Sequence, residues 1–446
     1  ALVGAATFIL NSLFTFQLAI DDDAVTSTSS QKQTQTNDKR ISKEDYCLSD
    51  GSVCVYHNIC YGAAKGSWFT SASPMDKSPL LNDMNYTKYS DSNNEAASRC
   101  NEKFVPQSRP YPSKNEFVYQ EGTTYLVCCW VNHFGHILLQ MFVSAVHALD
   151  KIGAMMQLRT NSINFLVDNR ASSFGSKETV LSVFEFLTKK TNKVQSLQAL
   201  EEKAKEDGKD NICFEELIVG MLYDDLVHGG PKIENMKLPA PHAENDMLQP
   251  LREHLENNYP LTKEAVSWAI KETKFSPNEA DSFEESPPEC TITFLRRKFA
   301  TRTIGNFDDV INTLVKEVFV EPMWNIRTVS FDGPSLESQY LTVRSSIAFL
   351  SVSGTGSHLG MFLPEGGSSI EIVFNNYSPV KNKYICKVSP YLTCLSANSI
   401  CSESNCKKAT SIDVDIESFK EVMEGVKKDV LKKCNDAGES FLSEKD

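Results

Sequence analysis

A glycine turn after an apolar segment is the part of the sequence best suited to hold a charged ligand. Residues 346–353 (SIAFLSVS) are typical of a buried strand, and a tight turn and a short helix are predicted to follow. The turn and the start of the helix comprise Gly354, Thr355, Gly356, Ser357 and His358. Glycines at such a place let backbone N–H groups and a helix N-terminus approach a phosphate. An ordinary strand-to-helix turn that binds nothing is the alternative interpretation.

Two blocks of alternating strands and helices are predicted to position this turn. The first block holds elements at residues 123–131, 137–156, 163–168, 176–190 and 213–220. The second block holds elements at residues 291–297, 306–319, 326–332, 336–344, 346–353 and 368–374. Such alternation is typical of a parallel sheet wrapped by helices. The sequence therefore predicts two α/β lobes that bind ligands at the carboxyl ends of their strands, joined by an acidic, proline-rich segment at residues 274–290.

The order of short motifs in the second block resembles glycosyltransferase family 61. The motifs are Ile292-Thr293-Phe294, Arg297, Arg302, Asn306, residues 335–339 (SLESQ), the glycine turn, residues 362–364 (FLP) and residues 370–372 (IEI). In the first block, residues 133–138 (HFGHIL) and 213–220 (CFEELIVG) add a fainter match. The family includes plant β-1,2-xylosyltransferases, xylan arabinosyl- and xylosyltransferases, and lumenal enzymes that add GlcNAc to EGF repeats or to O-mannose.

What the resemblance implies is an inverting glycosyltransferase with a GT-B-like fold. Two Rossmann-like lobes would face each other across a cleft, with the donor nucleotide in the second lobe. The donor would be a UDP-sugar carrying GlcNAc, xylose or arabinose, the acceptor a glycan or glycoprotein, and no metal cofactor would be required. The implied donor-binding residues are Arg297, Arg302, Gln339, Ser353, Gly354, Thr355, Gly356, Ser357, His358 and Glu371.

Four of these side chains have an expected role and an alternative. Arg297 and Arg302 are expected near the diphosphate, because a guanidinium group matches phosphate oxygens; a surface salt bridge is the alternative for each. Glu371 is expected to accept hydrogen bonds from the ribose hydroxyls, or else to face water at the end of its strand. Gln339 either lines the donor pocket or caps its own helix.

One position departs from the family pattern. Ser353 stands where the family motif HGAG has its histidine, and His358 lies five residues further on, in the slot of the family's threonine. Either Ser353 and backbone amides hold the donor phosphates, or the donor differs, or activity is lost. The last alternative is a catalytically silent paralogue that binds glycans or serves as a scaffold.

The catalytic base is expected in the first lobe. His136 precedes a predicted buried helix, and a neutral imidazole is suited to proton transfer; a core histidine with satisfied hydrogen bonds is the alternative. Asp168 ends a predicted strand at the expected crevice. The pair Asp224 and Asp225 is interpreted as part of a loop rather than as a metal site.

The N-terminal residues predict a membrane-tethered protein. Residues 1–20 carry no charge and match one helical crossing of a bilayer; a cleaved signal segment and a buried core helix are the alternatives. Residues 21–44 are mostly polar and predict a flexible stalk. This layout is typical of a single-pass type II protein whose catalytic region lies in the lumen of the endoplasmic reticulum or Golgi.

The cysteines agree with that compartment. The chain has 13 cysteines, in clusters that lack paired C-x-x-C spacing, so disulfides are favoured over zinc. Asn85 and Asn376 begin N-glycosylation acceptor motifs.

Length and charge limit the remaining possibilities. The chain has 446 residues, 41% of them hydrophobic, which is ordinary for a globular protein. Its net charge of -13 argues against nucleic-acid binding, which needs a basic face. A secreted disulfide-rich binding protein remains a further alternative.

The predicted domains divide the chain into five parts. They are an anchor or signal segment (1–20), a stalk (21–44), an acceptor-side lobe (45–285), a nucleotide-sugar-binding lobe (286–385) and a cysteine-bearing tail with an amphipathic helix (386–446). Residues 45–122 are rich in turn-forming residues and predict an irregular, disulfide-stapled start to the acceptor-side lobe.

Overall fold

A computed structural model describes much of the chain. The described residues are 44–49, 51–72, 75, 104–128, 137–168, 177–189, 193–220, 248–275, 290–297, 303–321, 323–373, 385–386, 389, 391–400 and 411–443. Residues 1–43, which hold the predicted anchor and nearly all of the stalk, lie outside them, as do the paired aspartates and the predicted site residues Asn85, His136, Arg302 and Asn376. No helix within these ranges is both long enough and apolar enough to cross a membrane.

The first sheet mixes parallel and antiparallel strands. Its strands are β1 (Tyr46–Cys47), β2 (Val53–Gly62), β3 (Ser67–Thr70), β4 (Gln107–Ser108), β5 (Phe117–Cys128), β6 (Asn164–Asp168), β7 (Val194–Ser196) and β8 (Asn211–Gly220). Their order is β4-β3-β2-β8-β5-β6-β7, with β1 paired to β2. Strands β8, β5, β6 and β7 run parallel, and β2 is antiparallel to β8.

Among the described residues, helices follow β5, β6, β7 and β8 of this sheet. They are a π-helical segment (Ile137–Val143) that continues into α1 (Ser144–Lys151), α2 (Met155–Arg159), α3 (Lys177–Thr188), α4 (Leu197–Glu206), α5 (Gln249–Asn258) and α6 (Lys263–Thr273). Apolar residues of α1 and α3 pack on one face of the sheet, whereas those of α4 pack on the other. Because both faces are covered, the central strands β2 and β8 are largely buried, whereas β4 is exposed.

Strand β2 differs from the sequence prediction of an irregular segment. Its ten residues are almost completely buried, with Val53 and Val55 on one face and Cys54 and Tyr56 on the other. A disulfide joins Cys60 of β2 to Cys213 of β8, and others join Cys47 to Cys54 and Cys386 to Cys394. The prediction of disulfides is confirmed for these three pairs.

The second sheet is parallel except at one strand pair. Its strands are β9 (Thr291–Leu295), β10 (Thr303–Ile304), β11 (Asn325–Val329), β12 (Ala348–Val352), β13 (Ser368–Val373), β14 (Thr393–Ile400) and β15 (Ser411–Val414), in the order β10-β15-β14-β13-β12-β9-β11. Only β14 and β15 pair antiparallel among these described strands. The predicted α/β class is therefore confirmed.

The helices of the second sheet lie on its two faces. They are α7 (Phe307–Thr313), which continues into a π-helical segment (Leu314–Val318), then α8 (Leu336–Arg344), a 3₁₀-helix (Thr355–Phe362) and α9 (Ile416–Ser443). Apolar residues of α7 and α9 join the core on one face, and those of α8 and the 3₁₀-helix join the core on the other. The sheet is thus covered on both sides, as in doubly wound α/β folds.

The C-terminal part of the chain completes this sheet. The sequence prediction ends the second lobe at residue 385, yet β14 and β15 come from beyond that point. Asn306 precedes α7 as predicted, but its side chain does not cap the helix. Its amide instead donates to the Val414 carbonyl oxygen and accepts from the Val414 N–H, at 2.9 and 2.8 Å. Asn306 therefore fastens β15 to the start of α7.

A buried aromatic cluster connects helices of the two sheets. Phe186 of α3 stacks on Tyr259, with ring centroids 4.8 Å apart. Tyr340 of α8 lies 5.7 Å from Phe186 and 5.3 Å from Phe362, at the end of the 3₁₀-helix. All four rings belong to one hydrophobic cluster that also holds residues of both sheets. Residues 43–446 accordingly form one unit.

Candidate functional site

The order of the parallel strands puts a topological switch point between β9 and β12. Strands β11, β9, β12, β13 and β14 are adjacent in that order, so the strand that comes first in the chain lies second in the sheet. The helix after β9, α7, packs on one face, whereas the 3₁₀-helix after β12 packs on the opposite face. At such a switch point the two connections diverge, and ligands of open α/β sheets bind there, beyond the carboxyl ends of the strands.

Two predicted site residues meet at this point. Arg297 follows β9, and Gly354 follows β12. A β-carbon placed on Gly354 would overlap Nη2 of Arg297 and would lie 2.9 Å from Cζ. The guanidinium group therefore rests directly against the glycine backbone. A cation beside a glycine backbone at a switch point is suited to hold a phosphate group.

The 3₁₀-helix approaches the sheet closely at two more glycines. A β-carbon on Gly356 would lie 2.5 Å from a methyl group of Leu295, and one on Gly360 would overlap Oγ of Ser369. At the start of this helix the Ser357 hydroxyl donates to the Gly354 carbonyl oxygen at 2.6 Å. Gly356 and Gly360 thus allow close packing of the helix on the sheet.

Small polar side chains lie beneath the 3₁₀-helix. Glu371 of β13 is in register with Ser351 of β12 and with Ser396 of β14. It is 0% exposed, so the alternative that this carboxylate faces water is wrong. Its expected contact with ribose stays a prediction.

Three further predicted donor residues, Ser353, His358 and Gln339, are also largely buried. Ser353 is 1% exposed, and its N–H donates to the Ile372 carbonyl oxygen at 2.9 Å. His358 is buried in the 3₁₀-helix, which begins at Thr355. Gln339 donates to the Pro334 carbonyl oxygen at 2.9 Å, just before α8. The helix is capped instead by Ser335, whose hydroxyl accepts from the Ser338 N–H, and the role of Gln339 in the donor pocket stays a prediction.

One of the two predicted base residues, Asp168, lies in the first sheet. Asp168 is the last residue of β6, where it is half-buried and in register with Cys128 of β5. His136 lies outside the described residues, between β5 and the π-helical segment.

Sequence reasoning did not single out Arg296, the neighbour of Arg297. Its guanidinium carbon lies 4.2 Å from the ring centroid of Phe275 and 4.1 Å from that of Phe307. Both distances are well within the range of cation–π contact. The signal in the sequence was the Arg-Arg pair at the end of an apolar strand, since successive side chains of a strand point to opposite faces.

Comparison of the sequence with known protein families and with curated proteins found no match. Within the described residues, His, Cys, Asp and Glu form no group of three that could hold a metal ion.

Proposed function

We propose that the chain is an inverting glycosyltransferase that binds a UDP-sugar at the switch point between β9 and β12. The observation that carries this proposal is the contact of the Arg297 guanidinium with Gly354. It supports a phosphate site at the position where doubly wound sheets bind nucleotides. The order of motifs in the second block, which resembles glycosyltransferase family 61, supports the choice of a nucleotide sugar.

The proposed reaction needs a base and a site for the leaving group. The acceptor hydroxyl attacks the anomeric carbon, the bond from that carbon to the diphosphate oxygen breaks, and the base takes the hydroxyl proton. Charge develops on the diphosphate as it leaves, and Arg297 and the backbone N–H groups after Gly354 would offset it. His136 and Asp168 are the proposed candidates for the base.

The wider assignment belongs to the same proposal. The two sheets would form a GT-B-like pair of lobes, with the acceptor glycan or glycoprotein bound on the side of the first sheet. The enzyme would work in the lumen of the Golgi or endoplasmic reticulum, tethered by residues 1–20. The three disulfides support an oxidising compartment.

A second candidate is a silent paralogue that binds glycans without transferring sugar. The observation that favours it is Ser353, which replaces the family's histidine and is 1% exposed. A buried serine side chain would interact with a ligand less strongly than an imidazole would. The two candidates differ in donor turnover, which a direct assay measures.

The test is a panel of UDP- and GDP-sugars, followed by thermal shift and by release of the nucleotide. We expect one UDP-sugar to stabilise the protein and to be hydrolysed slowly. Arg297→Ala should weaken donor binding by about tenfold to a hundredfold, since hydrogen bonds to charged groups contribute roughly 1.5–3 kcal/mol. The matched control is Arg159→Ala, which removes an equal charge from a surface ion pair with Glu253.

Each outcome separates the candidates. Donor binding without turnover would favour the silent paralogue. No response to any donor, or full activity in Arg297→Ala, would overturn the proposed site.

A further inference from the structure

Arg296 is clamped between two aromatic rings that come from different elements. Phe307 begins α7 and is packed in the core, with its ring centroid 5.2 Å from that of Phe294. Phe275 lies just after α6, where Lys274 forms a β-bridge with Val329. Since both rings are attached to elements with contacts of their own, the slot between them is fixed by the fold. The guanidinium plane fills that slot.

The backbone of Arg296 is fixed as well. Its N–H donates to the Val329 carbonyl oxygen at 2.8 Å, which continues the pairing of β9 with β11 by one residue. Consecutive side chains along an extended strand point to opposite faces. Arg296 is held on the face of the sheet that carries Phe307. The Arg297 side chain is therefore directed to the other face, where its guanidinium contacts Gly354.

We propose that Arg296 is a positioning residue for Arg297. The stack of Phe275, Arg296 and Phe307 sets the direction of the chain at the end of β9 and so places the Arg297 guanidinium at the phosphate site. This role rests on the proposed function for the nature of the anion. Its distinctive consequence is that anion affinity depends on whether the slot is filled, not on the charge of Arg296.

Calorimetry with inorganic pyrophosphate and with UDP tests this role. Arg296→Met fills the slot with an uncharged chain of similar length, and its affinities should stay within about twofold of the wild type. Arg296→Ala empties the slot and should lower the affinity for both ligands by about tenfold. Equal losses in the two variants would show that the charge acts directly, and would overturn the positioning role.

A double-mutant cycle supplies the readout that a purely structural effect would not change. In the Arg297→Met background, Arg296→Ala should cause no further loss of pyrophosphate affinity, because the group that it positions is already absent. Additive losses would contradict the proposal. Should Arg296→Ala fail to fold, Phe275→Leu removes one ring of the clamp and should give the same non-additive loss.

The two proposals fail in different ways. If wild-type protein binds neither pyrophosphate nor UDP, the proposed function falls and the role of Arg296 falls with it. If the wild type binds both and Arg296→Ala binds them equally well, only the positioning role is overturned.

Discussion

The guanidinium of Arg297 occupies the space into which a side chain at Gly354 would extend. The backbone at Gly354 has φ 171°, an extended conformation that any residue adopts. Glycine is therefore required at this position by its neighbour, and not by its own backbone.

This relationship predicts the effect of Gly354→Ala. The added methyl group should displace the Arg297 side chain and lower pyrophosphate affinity by about tenfold, while stability changes little because a flexible side chain can move. Calorimetry and thermal unfolding measure the two effects.

Gly425→Ala is the control, since a β-carbon there meets nothing within 4 Å. It should raise stability by about 0.5–1 kcal/mol and leave affinity unchanged. Unchanged affinity in Gly354→Ala would argue against an Arg297 phosphate site.

The disulfides predict unequal losses of stability. Cys60 and Cys213 are separated by 153 residues, whereas Cys386 and Cys394 are separated by 8. Because a disulfide restricts the unfolded chain more when it closes a longer loop, replacing the first pair with alanine should cost about 2–5 kcal/mol and replacing the second pair less. Urea denaturation of the two double variants provides the comparison. Equal costs would contradict this account.

His254 predicts a loss of stability in acid. Burial lowers the pKa of His254, and nearby Arg159 lowers it too, while the hydrogen bond to the Leu187 carbonyl oxygen partly opposes them. The unfolded chain therefore binds this proton at higher pH than the folded chain does. This contribution to stability is complete above the ordinary pKa of about 6.5 and declines as the pH falls below it. Urea denaturation across that range should show a shallower pH dependence for His254→Gln than for the wild type; an unchanged slope would count against this prediction.

Two tyrosines of the aromatic cluster form a matched pair. The Tyr259 hydroxyl donates to the Phe186 carbonyl oxygen at 2.7 Å, whereas the buried Tyr340 hydroxyl has no hydrogen-bond partner among the described residues. Tyr259→Phe should therefore destabilise the fold by about 0.5–1.5 kcal/mol, and Tyr340→Phe should be neutral or stabilising. Thermal unfolding of both variants tests the difference. A greater loss in Tyr340→Phe would mean that its hydroxyl has a partner after all.

Local patterns were enough to predict most of the second sheet. Strands β9, β12 and β13 are short apolar runs, and α8 has the predicted ends, Leu336 and Arg344. The start of α8 follows from Ser335, whose hydroxyl accepts from the Ser338 N–H at 3.1 Å. Such signals act within a few residues and can be read without knowledge of the fold.

The missed elements depend on distant partners. The apolar residues of strand β14 (TCLSANSI) are interrupted by polar ones, and the strand is defined by its pairing with β13. Strand β2 lies in a segment rich in turn-forming residues, and its burial comes from neighbours that include β8. Likewise, the clamp on Arg296 brings together Phe275 and Phe307 from separate segments. No local pattern predicts these contacts between distant segments, because they depend on the tertiary fold.

The late position of β15 has a consequence for biosynthesis. Strand β10 pairs only with β15 among the described strands, at Thr303 with Ser411 and Ile304 with Ile412. During translation, at about 5–20 residues per second, β10 leaves the ribosome several seconds before its partner does. The segment that carries Arg296 and Arg297, between β9 and β10 in the sequence, is therefore synthesised before β15 is available to pair with β10. A ribosome-stalled chain ending near residue 400 should already contain β9 and β12 but lack this pairing.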